Sequence, residues 1–301
     1  MRAAFSGLAF LGLALLMACS GDGVGHDVPS HGTIDRASVQ GLPSGRHEGP
    51  QGRVGQFVAE CAFSHSAPDD PIVHPGRPGM SHLHDFFGSR AVSASSTAED
   101  LLDSETTCDL SADTASYWAP AVMLDGRQIT PVSMTAYYRA ALDVDPSSVV
   151  AFPVGLAMIG GDQAAIEPQS LDVVGWSCGG SSSRHVDPPT CSAEATLRLD
   201  VTFPDCWDGE RLDSAGHRRH VHYSFEGTCP SSHPVPMPQL TVSVNYPLFG
   251  DVERLRLASG SPRTAHADFL NAWDPVRLET EVALCIRGGV VCGISDGRVD
   301  D

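Results

Sequence analysis

The chain contains no lysine, so all 19 of its basic residues are arginine. This absence excludes Schiff-base chemistry on the chain itself and a lysine general base. Acidic residues number 37, and the formal net charge is −18 at pH 7. A surface this negative repels phosphate backbones, so we expect no nucleic acid among the partners. The charge is most simply explained by solubility outside the cell.

Several motifs are also missing. No two of the nine cysteines have C-x-x-C spacing, which weakens an interpretation as a zinc-thiolate site. There is no G-x-S-x-G elbow and no βαβ pattern to mount it, so a serine nucleophile is disfavoured. Beyond the N-terminal segment, no apolar run approaches the length of about 18 residues that a membrane span needs. We therefore expect the remainder of the chain to be soluble.

The first 18 residues are typical of a bacterial lipoprotein signal peptide. Arg2 is followed by an uncharged apolar run that ends at Met17, two residues before Cys19. This run is too short for a membrane span. We therefore expect export, removal of residues 1–18, and a lipid anchor on Cys19 that holds the protein at the cell surface or in the periplasm. The alternative is an ordinary signal peptide cut nearby, with Cys19 lost or free.

Composition divides the rest of the chain into three parts. Residues 19–52 are rich in Gly, Ser, Pro, His and Asp and predict a flexible tether. Residues 53–298 have a uniform composition and predict a single β-rich domain, followed by a tail at 299–301.

Eight cysteines follow Cys19, and an even number in an exported chain favours disulfides. Proximity in sequence suggests three pairs, and elimination leaves the fourth. The predicted pairs are Cys178 with Cys191, Cys206 with Cys229, Cys285 with Cys292, and Cys61 with Cys108.

Short β-branched or aromatic stretches between turn residues predict strands. One helix is predicted where Asp274 provides a cap and Pro275 suits the first position, and a weaker one near 97–102. We therefore predict a mainly β fold, a single disulfide-bonded antiparallel β-sandwich that is jelly-roll-like, with long loops and one or two short helices. The predicted strands are 54–63, 132–140, 149–159, 171–178, 195–203, 220–225, 240–246 and 252–257.

Three segments, 81–88, 203–222 and 266–273, concentrate histidine, aspartate and tryptophan. In an extended chain, side chains at positions i and i+2 share a face, so each segment can present two polar groups together. The three pairs are His82 with His84, His220 with His222, and His266 with Asp268. We predict that they form one convergent site.

One hypothesis for this site is a divalent metal centre. Neutral imidazoles and a carboxylate bind zinc or copper, and we assign His82, His84, His266 and Asp268 as ligands. A bound metal would lower the pKa of a bound water and polarise a substrate oxygen. The alternatives are a histidine and carboxylate site without metal, and histidines that serve the structure alone.

A second hypothesis uses carboxylates, because glycoside hydrolysis needs two of them facing one another across a bond. We assign Asp205 and Asp208 to this role, with His217 and His220 as proton-transfer residues. The alternative for Asp208 is a plain turn.

Four further residues are candidates for substrate binding. Trp207 and Trp273 would stack on sugar rings, and Asp85 and Tyr138 would make further contacts. The alternative for each tryptophan is packing in the core.

The same segments resemble the domain-of-unknown-function family nineteen-ninety-six. The resemblance runs in order over residues 57–287, and it implies a secreted protein of the kind found in fungi and bacteria, sometimes joined to WSC carbohydrate-binding modules. That company implies work on polysaccharide or cell wall by association, and the family has no settled activity to transfer. The matching blocks include DDPIVHPG at 69–76, SHLHDFFG at 81–88, YWAP at 117–120, Tyr137-Tyr138, FPDCWDG at 203–209, LDS at 212–214, and HADF at 266–269.

The residues and the resemblance lead to one functional expectation and two alternatives. We expect an exported, membrane-tethered lipoprotein that acts on extracellular or cell-wall polysaccharide as a hydrolase with a metal-holding His/Asp site. The first alternative is a lipoprotein that binds carbohydrate or cell wall without catalysis. The second is a surface metal-binding protein without turnover.

Overall fold

The computed structural model describes residues 55–292, which lie within the predicted domain 53–298. The predicted signal peptide, its Cys19, the tether and the tail lie outside the described residues. Between residues 55 and 292, no helix is long and apolar enough to cross a bilayer.

Short strands make up most of the regular structure. The helices are α1 (Ala98–Leu102) and α2 (Pro275–Glu281), and α2 continues into a π-helical turn (Val282–Ile286). The strands are β1 (Gln56–Ala67), β2 (His84–Gly88), β3 (Ser116–Pro120), β4 (Val122–Leu124), β5 (Arg127–Ile129), β6 (Ser133–Arg139), β7 (Ala157–Gly161), β8 (Val174–Cys178), β9 (Leu197–Thr202), β10 (Cys206–Trp207), β11 (Val221–His222), β12 (Val235–Pro236), β13 (Gln239–Asn245), β14 (Leu255–Leu257), β15 (His266–Leu270) and β16 (Val291–Cys292).

Ten of the described strands form one sheet in the order β7-β15-β3-β2-β1-β6-β13-β9-β8, with β16 paired to β1. The β16 pairing is parallel, and the other pairings of this sheet are antiparallel. The N-terminal part of β1 pairs with β6 and its C-terminal part with β2, with an irregularity between Phe63 and His65. β1 thus joins a first half-sheet (β16, β1, β6, β13, β9, β8) to a second half-sheet (β1, β2, β3, β15, β7).

The two half-sheets pack against each other over an aromatic core. Phe269 of the second half-sheet lies 6.2 Å from Phe203, measured between ring centroids, and Phe203 follows β9 of the first. The free edges also approach, since a Cβ atom on Gly160 of β7 would lie only 2.9 Å from Cγ1 of Val201 in β9. Only glycine permits that approach. The result is a nearly closed, mainly β sandwich, so the predicted fold class is confirmed.

Local predictions fared unevenly. All four predicted disulfides form, and both predicted helices are present with side-chain caps from Thr97 and Asp274. The strand predicted at 149–159 is wrong over most of its length, because β7 begins only at Ala157. Strands β2, β3 and β15 were not predicted, and three of the four candidate ligands lie on them, His84 on β2 and His266 and Asp268 on β15.

Candidate metal centre

The candidate ligands lie on the outer face of the second half-sheet. Successive side chains of a strand point to opposite faces. In β15, Phe269 points into the main core, so His266 and Asp268 point away from it. In β2, His84 shares its face with Phe86, which belongs to a second apolar cluster. The strands therefore place histidines of two distant segments side by side.

This second cluster is smaller than the main core and covers the same outer face. It joins residues of the sheet to residues of α1 and of the chain between β1 and β2, and its Phe86 lies 6.1 Å from His84, measured between ring centroids. Its large members are Ile72, Phe86, Leu101, Trp118, Ile159 and Leu270.

The chain between β1 and β2 folds over this face and supplies Asp70 and His82. Oδ1 of Asp70 accepts hydrogen bonds from the backbone N–H groups of Ile72 at 2.9 Å and Val73 at 2.8 Å. These bonds form a local side-chain turn. Because Ile72 is also anchored in the second cluster, the turn holds Asp70 against the sheet.

Three imidazoles converge at this point. The ring centroids are 4.2 Å apart for His82 and His84, 5.1 Å for His82 and His266, and 6.0 Å for His84 and His266. One nitrogen from each ring lies within 4.8 Å of the other two. Imidazoles bound to one tetrahedral metal at about 2.0–2.1 Å have centroids about 5 Å apart. The observed spacings bracket that value.

Backbone carbonyls fix the tautomers of two of these rings. Nδ1 of His84 lies 2.9 Å from the carbonyl oxygen of Asp69, and Nδ1 of His266 lies 2.8 Å from that of Thr264. A carbonyl oxygen only accepts, so each Nδ1 carries the proton and each Nε2 presents a lone pair. This is the arrangement in which histidines bind a metal through Nε2 while the other nitrogen is held.

Several buried polar atoms of the cluster lack a hydrogen-bond partner among residues 55–292. They are Nε2 of His82, Nε2 of His84 and Oδ2 of Asp268. An unsatisfied buried polar atom costs about 1–3 kcal/mol, so a group bound between these three atoms would remove all three costs.

Burial sets the protonation of the cluster. It lowers the pKa of His82 to about 4, with the nearby His74 adding to the effect. It also lowers the pKa of His266 to about 4, although the bond to the Thr264 carbonyl opposes the change. The pKa of His84 falls well below its usual value for the same reason. The three imidazoles are therefore neutral at pH 7, which is the form that binds metal.

Two carboxylates complete the surroundings. Ligand atoms of Asp70, His84 and Asp268 also lie within 4.8 Å of one another, so His84 belongs to both sets. Burial raises the pKa of Asp268 well above its usual value, and the nearby Asp70 raises it further. A cation between these side chains would offset both effects.

Arg218 was not predicted as a site residue. Its guanidinium donates to the carbonyl oxygen of Gly161 at 2.6 Å, and Gly161 is the β-ladder partner of His266. The charge of Arg218 acts on both His266 and Asp268. The one signal in the sequence is its position between two predicted site histidines, in the run HRRH at 217–220.

The carboxylates predicted for glycoside hydrolysis, Asp205 and Asp208, flank β10, the central strand of a separate small sheet of β10, β11 and β12. Asp208 accepts from the backbone N–H groups of Glu210 and Arg211 and pairs with the Arg211 side chain at 2.7 Å, as expected for a turn. Asp205 is buried and accepts from the backbone N–H of Ser224 at 2.9 Å. Neither belongs to the cluster of His82, His84 and His266.

The predicted proton-transfer histidines lie in the segment that covers the edge of β7. His220 is fully buried, and its Nε2 donates to the carbonyl oxygen of Ala157 at 2.6 Å. Its Nδ1 then accepts from the hydroxyl of Ser214 at 3.0 Å. His217 pairs with Asp213 at 2.9 Å and lies close enough to Asp70 to act on it electrostatically. Of the two histidines, His217 is therefore the one that interacts with a residue beside the candidate ligands.

Two predicted substrate contacts lie inside the main core instead. Tyr138 and Trp273 are both fully buried. Nε1 of Trp273 donates to the hydroxyl of Tyr138 at 3.1 Å, and that hydroxyl bonds the hydroxyl of Tyr117. Rings enclosed in this way present no face to a sugar, which speaks against both assignments.

The other two predicted substrate contacts, Asp85 and Trp207, lie in different surroundings. Asp85 follows His84 in β2 and therefore points to the opposite face, away from the candidate ligands. There its Oδ1 accepts from Ser66 at 2.6 Å and from Gln128 at 2.9 Å. Trp207 is half-buried, and its Nε1 donates to the Arg211 carbonyl at 2.6 Å.

Comparison with known proteins gives a family and no function. No curated protein matches the chain, and no solved structure matches it. The family model described as "Domain of unknown function (DUF1996)" matches residues 70–273, a span that includes all four candidate ligands. The chain therefore belongs to this family of domains of unknown function.

Proposed function

We propose that this protein is an exported, metal-dependent hydrolase that acts on extracellular or cell-wall polysaccharide. His82, His84 and His266 bind a divalent metal, zinc or copper, and Asp268 lies beside it. The observation that carries the proposal is the convergence of three neutral imidazoles, two of which are held by backbone carbonyls at Nδ1 so that Nε2 faces the cluster.

The arrangement favours a catalytic centre over a structural one. Structural zinc sites are closed by four protein ligands, whereas catalytic sites use three and keep one position open. His82 is only half-buried, so the cluster has a side that faces solvent. A metal held here would lower the pKa of a bound water. Asp268, whose Oδ2 lies 3.9 Å from Nε2 of His266, is placed to accept the proton.

The choice of polysaccharide rests on the charge of the chain and on the family resemblance. The net charge of −18 disfavours polyanionic substrates, and the family resemblance associates such domains with carbohydrate-binding modules. Export is supported by the four disulfides among the described residues, because disulfides persist in oxidising compartments. Anchoring through Cys19 is a proposal from the sequence. Fatty-acid labelling of the parent, lost in Cys19→Ala, tests it.

The depth of the centre favours a second candidate, metal binding without turnover. His84 is 0 % exposed and Asp268 is 1 % exposed, so a substrate reaches the metal only past His82. In that case the protein holds a metal at the cell surface and cleaves nothing.

The first test is metal stoichiometry by elemental mass spectrometry on the full chain made in an oxidising compartment without a histidine tag. We expect one zinc or copper per chain in the parent and in His222→Ala, since His222 is exposed and outside the cluster. The double variant His82→Ala/His84→Ala, checked for folding by circular dichroism, should bind none. Equal metal content in the parent and the double variant would overturn the proposed centre.

Turnover separates the two candidates. The metal-loaded parent is incubated with a panel of cell-wall and extracellular glycans, and new reducing ends are measured. Release by the parent, absent in the folded double variant, supports the hydrolase. A metal-loaded parent that releases nothing from any glycan supports metal binding alone.

A further inference from the structure

A groove of about 520 Å³ opens on the surface apart from the metal centre. None of the four candidate ligands lines it. Its walls include the exposed apolar side chains of Leu142 and Phe225 and three acidic side chains, Asp143, Asp172 and Glu226. Neither the sequence motifs nor the proposed centre accounts for it.

We propose that this groove binds a stretch of polysaccharide that carries free amino groups. The inference rests on the proposed function and names the substrate class of the same protein. Its basis is an exposed aromatic ring beside three acidic side chains in a groove that no arginine or histidine lines.

Phe225 provides the stacking surface. It is 75 % exposed, and Leu142 in the same groove is 60 % exposed, so the groove offers an apolar surface that a ligand can cover. The ring is carried on a tight turn, because Phe225 and Thr228 exchange two backbone hydrogen bonds of 3.0 Å. Aromatic rings pack well against amphipathic ligands, and the flat C–H face of a sugar ring is such a surface.

The turn is fixed to the opposite wall of the groove. A Cβ atom on Gly227 would lie 2.4 Å from the carbonyl oxygen of Asp143, so only glycine allows the two backbones to approach. Gly227 has a φ of 73°, which glycine adopts without strain. The groove therefore has a preformed shape, and a ligand spends little energy on ordering it.

The charge of the groove selects the amino group. Asp143, Asp172 and Glu226 are all exposed, and together they create a negative field that attracts a cation. The guanidinium of Arg184 is within electrostatic range of Asp172. Arg184 is held elsewhere, however, by the carbonyl oxygen of Leu171 at 2.9 Å. A sugar with an ammonium group satisfies both the ring and the carboxylates.

The groove also connects to the metal centre through neighbouring residues. Tyr223, which lines the groove, donates through its hydroxyl to the carbonyl oxygen of Thr202 at 2.9 Å. Arg218 acts electrostatically on Tyr223 and donates to Gly161, the ladder partner of His266. Tyr223 and Arg218 thus link the wall of the groove to the strand that pairs with His266.

The test is calorimetric titration of the full chain with two matched probes, the β-1,4-linked hexamer of glucosamine and the hexamer of N-acetylglucosamine. They differ in the charge and acetylation of the amino group. We expect the glucosamine hexamer to bind at least about tenfold more tightly, a difference of about 1.4 kcal/mol. Equal affinities, or no binding of either hexamer, would overturn the proposal.

Variants locate the binding. Phe225→Ala and Asp172→Asn should each weaken binding of the glucosamine hexamer about three- to tenfold. Phe249→Ala is the matched control, because Phe249 is 60 % exposed and does not line the groove. An unchanged affinity in Phe225→Ala, or equal competition by spermine at the same ammonium concentration, counts against a sugar site.

The two proposals fail separately. The double variant His82→Ala/His84→Ala should bind the glucosamine hexamer as the parent does, because the groove shares none of its lining residues with the metal centre. Hexamer binding by a parent that holds no metal would leave the groove standing and remove the proposed function. A metal-loaded parent that binds neither hexamer would overturn the proposal for the groove and leave the proposed metal centre in place.

Discussion

Nε2 of His266 lies 3.9 Å from Oδ2 of Asp268, and both residues stand on the same face of β15. That distance is too long for a hydrogen bond, so the carboxylate and the imidazole are not hydrogen-bonded to each other. Oδ2 of Asp268 is buried and has no hydrogen-bond partner within the described part of the chain. A metal ion beside both atoms would bind the lone pair of Nε2 and neutralise the buried carboxylate.

The variant Asp268→Asn tests this relationship. It keeps the shape and removes the charge, so we expect the affinity for zinc to fall about 10–100-fold, the usual effect of losing a group that supports the ligands. A competing chelator measures the affinity. The metal-free variant should be no less stable than the parent to urea, because it no longer buries a titratable carboxyl. Unchanged zinc affinity would place Asp268 outside the metal's influence.

Gly161 controls the position of His266. It has a φ of 78°, and an added Cβ would lie 2.6 Å from the carbonyl oxygen of Ala265 and 2.9 Å from Cα of His266. We expect Gly161→Ala to lower the free energy of unfolding by about 1–3 kcal/mol and to reduce metal content. Gly180→Ala is the control, since nothing lies within 4 Å of its added Cβ. Urea unfolding and elemental analysis measure both effects, and equal behaviour of the two variants would contradict the prediction.

The convergence of the candidate ligands was easier to predict from the sequence than the strands on which they lie. The i and i+2 spacing of His82 with His84, and of His266 with Asp268, was readable because strand geometry gives both members of a pair one face. The strands β2 and β15 themselves were not predicted. Their outward positions hold polar ligands, so the β-branched and aromatic pattern that indicates a strand is broken there.

Other parts of the centre depend on contacts that spacing does not encode. Asp70 reaches the site because its loop folds over the sheet, and Arg218 because its segment covers the edge of β7. Trp273 and Tyr138 looked like sugar contacts by residue type, and only burial separates an enclosed aromatic from an exposed one. Phe225 shows the converse, since its exposure on a tight turn was invisible in the sequence.

Acid should destabilise the metal-free protein through its histidines. The pKa of His266 is about 4 in the folded state and about 6.5 in the unfolded chain. Between these values the unfolded chain binds more protons, so this residue makes the free energy of unfolding rise with pH. Asp268 acts in the opposite direction, because burial raises its pKa. The test is therefore the difference between variants.

In His266→Gln the rise of stability from pH 4 to pH 6.5 should be smaller than in the parent, both measured by urea unfolding with a chelator present. His222→Gln is the control, because His222 is exposed and should leave the profile unchanged. Identical profiles for the parent and His266→Gln would show that the imidazole titrates alike in the folded and unfolded chains.

The buried hydroxyl of Tyr138 should contribute to stability and should affect neither metal binding nor hexamer binding. It accepts from Nε1 of Trp273 and bonds the hydroxyl of Tyr117, which donates to Asp113 at 2.8 Å. Tyr138→Phe removes one member of this buried network, and we expect a loss of about 1–3 kcal/mol in the free energy of unfolding. Tyr137→Phe is the matched control, because Tyr137 points to the opposite face of β6 and is only half-buried.

Both tyrosine variants should keep the metal content of the parent and its affinity for the glucosamine hexamer. Calorimetric titration and elemental analysis check this alongside urea unfolding. A Tyr138→Phe protein of unchanged stability but weakened hexamer binding would return this residue to the substrate site. The burial of Tyr138 and its stacking on Phe57, with 4.4 Å between ring centroids, argue against that outcome, because an enclosed ring has no face left for a ligand.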